Sequence, residues 1–181
     1  MMKKKKKKKL DPIPKINRRL FRLWSEAVRE RAGHKCEYCG IEKGAINVNG
    51  KKTKIDAHHF LSRDIHNCPL KFEILNGVAA CPFCHKWGIP SFHRDPITTI
   101  TWLIEKHPER YSFVLNNSYI RVNLRNRKIL AEIEKSLRNK ESLDLEKLKE
   151  IDEASPPKPK MGGSLFDDED TTESPTPQKD Q

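Results

Sequence analysis

Long apolar runs are missing from this chain. No stretch approaches the ~20 consecutive apolar residues that cross a bilayer. The lysines at the start are followed at once by Leu10-Asp11-Pro12, not by the apolar core of a secretory signal. The expectation is a soluble, intracellular, cytoplasmic protein with no membrane partner. Apolar residues are also scarce overall, 35% of the chain against 34% charged. That is too few for all 181 residues to pack, so one compact domain with unpacked tails is expected. Cysteine is sparse and is not spaced as a disulfide framework. Of the five, Cys36/Cys39 and Cys81/Cys84 form two C-x-x-C pairs, the spacing of metal ligands in a reducing compartment. Cys68 stands apart and reads as a plain structural thiol. Beyond these two knuckles there is no internal repeat.

What the chain has in excess is positive charge, +11 net, and it is unevenly spread. Residues 1–20 carry ten Lys/Arg and one Asp, residues 152–181 carry three Lys and eight acids, and residues 21–151 keep a net +7. A basic middle of that size favours a polyanion, most commonly nucleic acid. The seven lysines at 3–9 repel one another and stay disordered until they meet a polyanion. From Ala154 the chain is rich in Pro, Ser and acids and lacks apolar periodicity, which reads as disorder.

Between the tails, Ile16, Leu20, Leu23, Trp24, Ala27 and Val28 recur at helical spacing and predict an amphipathic helix ending near Ala32, with Gly33 as its stop. Asn49-Gly50 is a hairpin-turn signal after a short strand at Ile46/Val48. Lys54 to His59 and Val78 to Ala80 read as strands, and a brief helix is expected from Pro82–Cys84 to Gly88. Helices follow at Pro96–His107 and Pro108–Leu115, with weaker, highly charged ones at Arg121–Lys140 and Leu143–Ile151. The domain order is therefore an arm at 1–14, a core at 15–95 with its leading helix, a helical extension at 96–151 and an acidic tail at 152–181. The core order is strand, loop, strand, helix.

Four thiolates in two C-x-x-C turns suit a structural zinc, which would staple the leading helix to the strand and helix that follow. Asp56-Ala57-His58-His59 lies between the pairs. Strand alternation sends His58 and His59 to opposite faces, so both reach one phosphate only if the strand ends or bends there, at Phe60-Leu61-Ser62. One imidazole can then bind a divalent cation while the other takes a proton from water. His85, on the first turn after Cys84, can complete a metal site opposite His58, and Asn76 can tie down the loop holding the pair. His93 comes eight residues after His85, beyond the Gly88-Ile89-Pro90 break, where it can approach the metal or touch substrate. Arg63, Lys71, Lys86 and Arg94 are the nearest cations for flanking phosphates.

Cys36-Glu37-Tyr38-Cys39-Gly40, Asp56-Ala57-His58-His59 and Asn76-Gly77-Val78-Ala79-Ala80-Cys81-Pro82-Phe83-Cys84-His85 together resemble the zinc-knuckle members of the HNH nuclease family, many of them from phages and mobile elements. The lead-in Trp24 to Arg31 is similar to theirs, and the resemblance covers about residues 20–95. It implies an α+β protein with a small ββα-metal (His-Me finger) core, stapled by structural zinc through Cys36, Cys39, Cys81 and Cys84 and flanked by helices. It implies metal-dependent hydrolysis of DNA phosphodiester bonds, with RNA also open, in the host cytoplasm for a phage-borne member. His59 would be the general base. His58 and His85 would bind Mg²⁺ or another divalent cation, with Asp56 as a further ligand or support. Asn76 would orient the histidine loop, and Arg63, Lys86 and Arg94 would contact nucleic acid. Where many members place another histidine four residues after the one following the cysteines, this chain has Ile89.

Two other functions fit the composition. A zinc-stapled nucleic-acid-binding protein without catalysis would use the same knuckles and charge, but has no need of His58, His59, Asn76 and His85 together. A scaffold that binds another protein through residues 121–151 has only the charged helices in its favour. Oligomeric state is not readable from the sequence.

Overall fold

The computed structural model describes residues 11–47 and 50–155. The lysine run, Val48 and Asn49 of the expected strand and hairpin turn, and the acidic tail from residue 156 lie outside the described residues. The protein combines helices with one small two-stranded sheet.

The chain enters through α1 (Ile13–Arg31), two residues before the expected boundary of the arm. It buries Ile16, Leu20, Trp24, Ala27 and Val28 along one face, the stripe that spacings of three and four produce. Arg29 and Arg31 in its last turn suit the negative end of the helix dipole. Gly33 and His34 take positive φ (60° and 57°), reversing the chain into the first knuckle.

Strands β1 (Asp56–His59) and β2 (Gly77–Ala80) pair antiparallel, with Asp56 opposite Ala80, His58 opposite Val78 and His59 opposite Gly77. The expected strand from Lys54 is shorter by two residues. This register would set Ile55 against Cys81, which leaves the sheet for the cysteine cluster. Glu37 docks the first knuckle on the outer edge of β2: its N–H donates to Ala79 O (2.8 Å), and its carboxylate accepts from Ala79 N–H (2.7 Å). Arg31 and Arg110 both pair with that carboxylate (3.1 and 2.8 Å).

After β2 the chain makes a single wide turn of π-type helix, Phe83–Trp87, in place of a short regular helix. Among the described residues four α-helices follow: α2 (Pro96–Lys106), α3 (Pro108–Asn117), α4 (Arg127–Asn139) and α5 (Leu145–Glu153). The helix expected from Arg121 starts only at Arg127, where Asn126 caps it by accepting from Lys128 N–H (3.0 Å). Ahead of it, Ile120, Val122 and Leu124 are buried at every second residue, the period of an extended segment. Val122 N–H donates to Asn67 O (2.9 Å) to hold that segment down. The last helix runs through Glu153, past the expected start of the tail.

The core lies where α1 packs on the sheet on one side and on α4 on the other. Leu20, Val28, Leu70, Phe72, Val78, Ile129 and Ile133 are buried there, joined by Cys68. Among the described residues no helix is long and apolar enough to cross a membrane.

Candidate functional site

Two clusters of ligand-type side chains flank the sheet, one where Cys81 and Cys84 after β2 meet the knuckle after α1, the other around His58 of β1. In the first, Cys36, Cys39, Cys81 and Cys84 bring their sulfurs within 4.8 Å of one another. All but Cys39 are buried. The hydrogen bond from Cys84 pulls the Cys36 thiol down to about 4. The same contact, with burial adding, pushes Cys84 up, and burial raises Cys39. Four thiols this close resist shared ionisation, and a divalent cation removes that resistance. The donor set therefore fits zinc, and the cluster can hold a zinc ion.

In the second cluster, His58, His85 and His93 also bring ring nitrogens within 4.8 Å of one another. Each arrives from a different piece of chain. His58 projects from β1. His85 sits on the π-turn, and its Nδ1 lies 3.2 Å from Asp56 Oδ2. His93 returns after the Gly88-Ile89-Pro90 break because Phe92 N–H donates to Cys84 O (2.9 Å) and His93 N–H to His85 O (3.2 Å). His85 Nε2 and His93 Nε2 face each other at 3.1 Å, an arrangement that a shared proton or a shared metal ion satisfies. The three imidazoles form a group that can hold a metal ion. Asp56 shares the β1 face of His58, as strand alternation places it, and touches His85; the three clustered residues do not include it.

His59 lies on the opposite face of β1. It stacks on Trp24 with ring centroids 3.7 Å apart and planes 11° apart. Gly77 is directly across from it. A Cβ at Gly77 would collide with Val28 and come within 2.9 Å of Trp24, so the missing side chain is what lets α1 bring the indole onto the imidazole. His59 Nε2 lies 2.9 Å from Lys71 O. A carbonyl only accepts, so this nitrogen carries the proton and Nδ1 is left as the basic atom. Asn76 is fully buried. Its Oδ1 accepts from Leu61 N–H (2.7 Å), and its Nδ2 donates to Leu61 O (3.1 Å) and Leu70 O (2.9 Å). Both ends of the loop after β1 are thereby fastened.

An open cleft of about 560 Å³ borders His58, His59, His85 and His93, with Arg63 and Lys86 at its edge. The strand stops at His59, so residues from its two faces reach one space. Arg94 lies outside this lining and donates to Trp87 O (3.2 Å), and Lys71 contributes its carbonyl to His59, not a charge to the cleft. Burial, with His85 and His93 adding, pushes His58 down to about 3. Burial also pushes His59 down to about 4, against the opposing effect of the Lys71 carbonyl. His85 is lowered by burial, opposed by Asp56.

Sequence reasoning left His93 open between metal and substrate and outside the ligand set, and it missed Trp24 as the partner of His59. The first depends on a chain reversal that no local spacing announces. The second had a signal in Gly77, whose lack of a side chain opposite a histidine invites a ring from the neighbouring helix. No protein family, curated protein or solved structure matches this chain.

Proposed function

We propose that the protein is a metal-dependent endonuclease of HNH type that hydrolyses DNA phosphodiester bonds. The observation that carries this reading is the single cleft in which a three-histidine cluster meets a fourth histidine whose tautomer is fixed with Nδ1 free. The strand–loop–strand–turn order around it is similar to the ββα-metal arrangement that the motifs resemble, and the cysteine cluster supports a structural zinc beside it.

His58, His85 and His93 would hold the catalytic cation, and a set of imidazoles suits a borderline transition metal better than Mg²⁺, which prefers oxygen. When bound, such an ion supplies Lewis-acid stabilisation to a phosphate oxygen and to the leaving 3′-oxygen. The chain does the rest. Arg63 and Lys86 draw the backbone phosphates into the cleft. Burial keeps His59 neutral at physiological pH, so Nδ1 is free to accept a proton from water. The water oxygen bonds to phosphorus, the P–O3′ bond breaks, and the 3′-oxygen leaves with a proton from solvent. Trp24 and Lys71 O hold the imidazole in plane during the transfer. Asn76 keeps the loop closed around it, and Asp56 fixes the tautomer of His85.

A plasmid-nicking assay with the zinc-containing protein tests this, with Mn²⁺, Ni²⁺, Mg²⁺ or chelator added. Wild-type protein is expected to nick in a metal-dependent manner, and His59→Ala to lose on the order of 10²–10⁴ in rate while keeping its zinc. Binding of DNA without cleavage of plasmid, branched or single-stranded substrates under every metal would point to the non-catalytic binding protein instead.

A further inference from the structure

The turn that carries His85 also carries an apolar surface that the hydrolytic chemistry does not use. Phe83, Trp87 and Ile89 are 64%, 72% and 83% exposed. Large apolar side chains grouped this closely on an exposed turn are the composition of an interaction surface. The Phe83 ring lies over Gly88, where an added Cβ would come within 2.6 Å of it, so the ring is set against backbone, not free to fold away. Trp87 is two residues from His85, which puts their Cα atoms within about 7 Å.

The surroundings indicate the occupant. From Cys81 to Arg94 the chain contains no acidic residue, and both of its formal cations, Lys86 and Arg94, are exposed. Arg94 is anchored to the Trp87 carbonyl (3.2 Å). Lys86 reaches the cleft, and its charge is felt by His58 and His85. Flat rings interleaved with cations suit bases and phosphates at once. Stacking on an aromatic needs an open base face, which a continuous duplex does not offer.

The geometry points to Phe83 and Trp87 as a stacking platform for unpaired nucleotides next to the histidine cleft, making single-stranded or splayed nucleic acid the preferred substrate class. The scissile chemistry of this inference rests on the nuclease reading; the platform itself does not.

The test measures binding by fluorescence anisotropy, using the full chain with its zinc and no other added metal. The probes are labelled oligo(dT), a Y-shaped duplex with unpaired arms and a fully paired duplex of equal length. Trp87→Ala is expected to weaken oligo(dT) and the Y-shape by at least about fivefold, and to change the paired duplex by less than about twofold. Trp87→Phe is expected to recover most of the loss. The exposed indole contributes nothing to the core, and circular dichroism of both variants checks that they fold. An equal loss on all three probes overturns the platform in favour of general phosphate binding. No loss on any of them overturns it and assigns the apolar triplet to a protein partner. Cleavage of the same probes and of plasmid, with Mn²⁺, Ni²⁺ or Mg²⁺ in turn, runs alongside. Discrimination in binding without cleavage removes the nuclease reading and leaves the platform. Cleavage indifferent to Trp87 does the reverse.

Discussion

The chemistry proposed for His59 is set by three contacts, each with a separate job. Trp24 fixes the plane of the ring, Lys71 O fixes which nitrogen is protonated, and the end of β1 brings the residue to the lining of the cleft. Burial then holds the ring neutral, and the same is true of His58. This has a consequence for stability. Both groups fall from an ordinary value of 6.5 to about 3 and about 4, so the unfolded chain takes up protons that the folded one refuses. Their contribution is complete above about pH 6.5 and is lost as pH falls towards 4 and below. The thermal midpoint of the protein is therefore expected to drop between pH 7 and pH 4.5. The His58→Asn/His59→Gln variant should drop less, since acid loss of zinc is common to both chains. Parallel curves for the two proteins would mean that the imidazoles are not held neutral by the fold.

At the scale of elements, what could be read from the sequence was what local spacing encodes. The face of α1, the two C-x-x-C pairs, the strand leading into the histidine pair and the order strand, loop, strand each depend on neighbours within a few residues. The reading failed where the period or the path was set from afar. Val122 and Leu124 lie in the highly charged stretch from Arg121 that reads as helix, yet with Ile120 they alternate in a segment pinned to Asn67. His93 reaches His85 only through a reversal built on two backbone hydrogen bonds. The short π-turn, likewise, is held by other elements, with Cys84 in the cysteine cluster and His85 bonded to Asp56. That dependence suggests how zinc matters. The cysteine cluster joins the loop after α1 to the π-turn, and the π-turn carries one of the three clustered histidines. Stripping zinc with a strong chelator is expected to lower the thermal midpoint by on the order of 10 °C or more, and Cys81→Ser should mimic it. Retention of the full midpoint with no zinc left, read by atomic absorption and calorimetry on one sample, would show that the sheet and α1 hold the turn unaided.

For the molecule as a whole, charge is distributed in three blocks: a very basic start, a basic middle and an acidic end. Only the middle lies substantially within the described residues, and its net +7 includes several cations already engaged within the fold. Arg31 and Arg110 are committed to Glu37, and Lys147 to Glu132 (2.7 Å). Arg63 and Lys86 at the cleft are not held in that way, Arg63 having only an exposed aspartate neighbour at 3.8 Å. The phosphate contacts of the core should therefore be few, and the seven lysines at 3–9 become the largest reserve of charge for nucleic-acid binding. Each phosphate neutralised on duplex DNA adds about −0.9 to the slope of log affinity against log salt concentration. The full chain is expected to give a steep slope between 50 and 300 mM salt (roughly the range over which counterion release dominates), and removal of residues 1–10 to make it shallower by about 3 or more. Such a change with cleavage intact would divide the molecule into an arm that gathers substrate and a core that cuts it. Identical slopes for the two chains would confine every phosphate contact to the folded core, and the distinction between arm and core would then have no bearing on affinity.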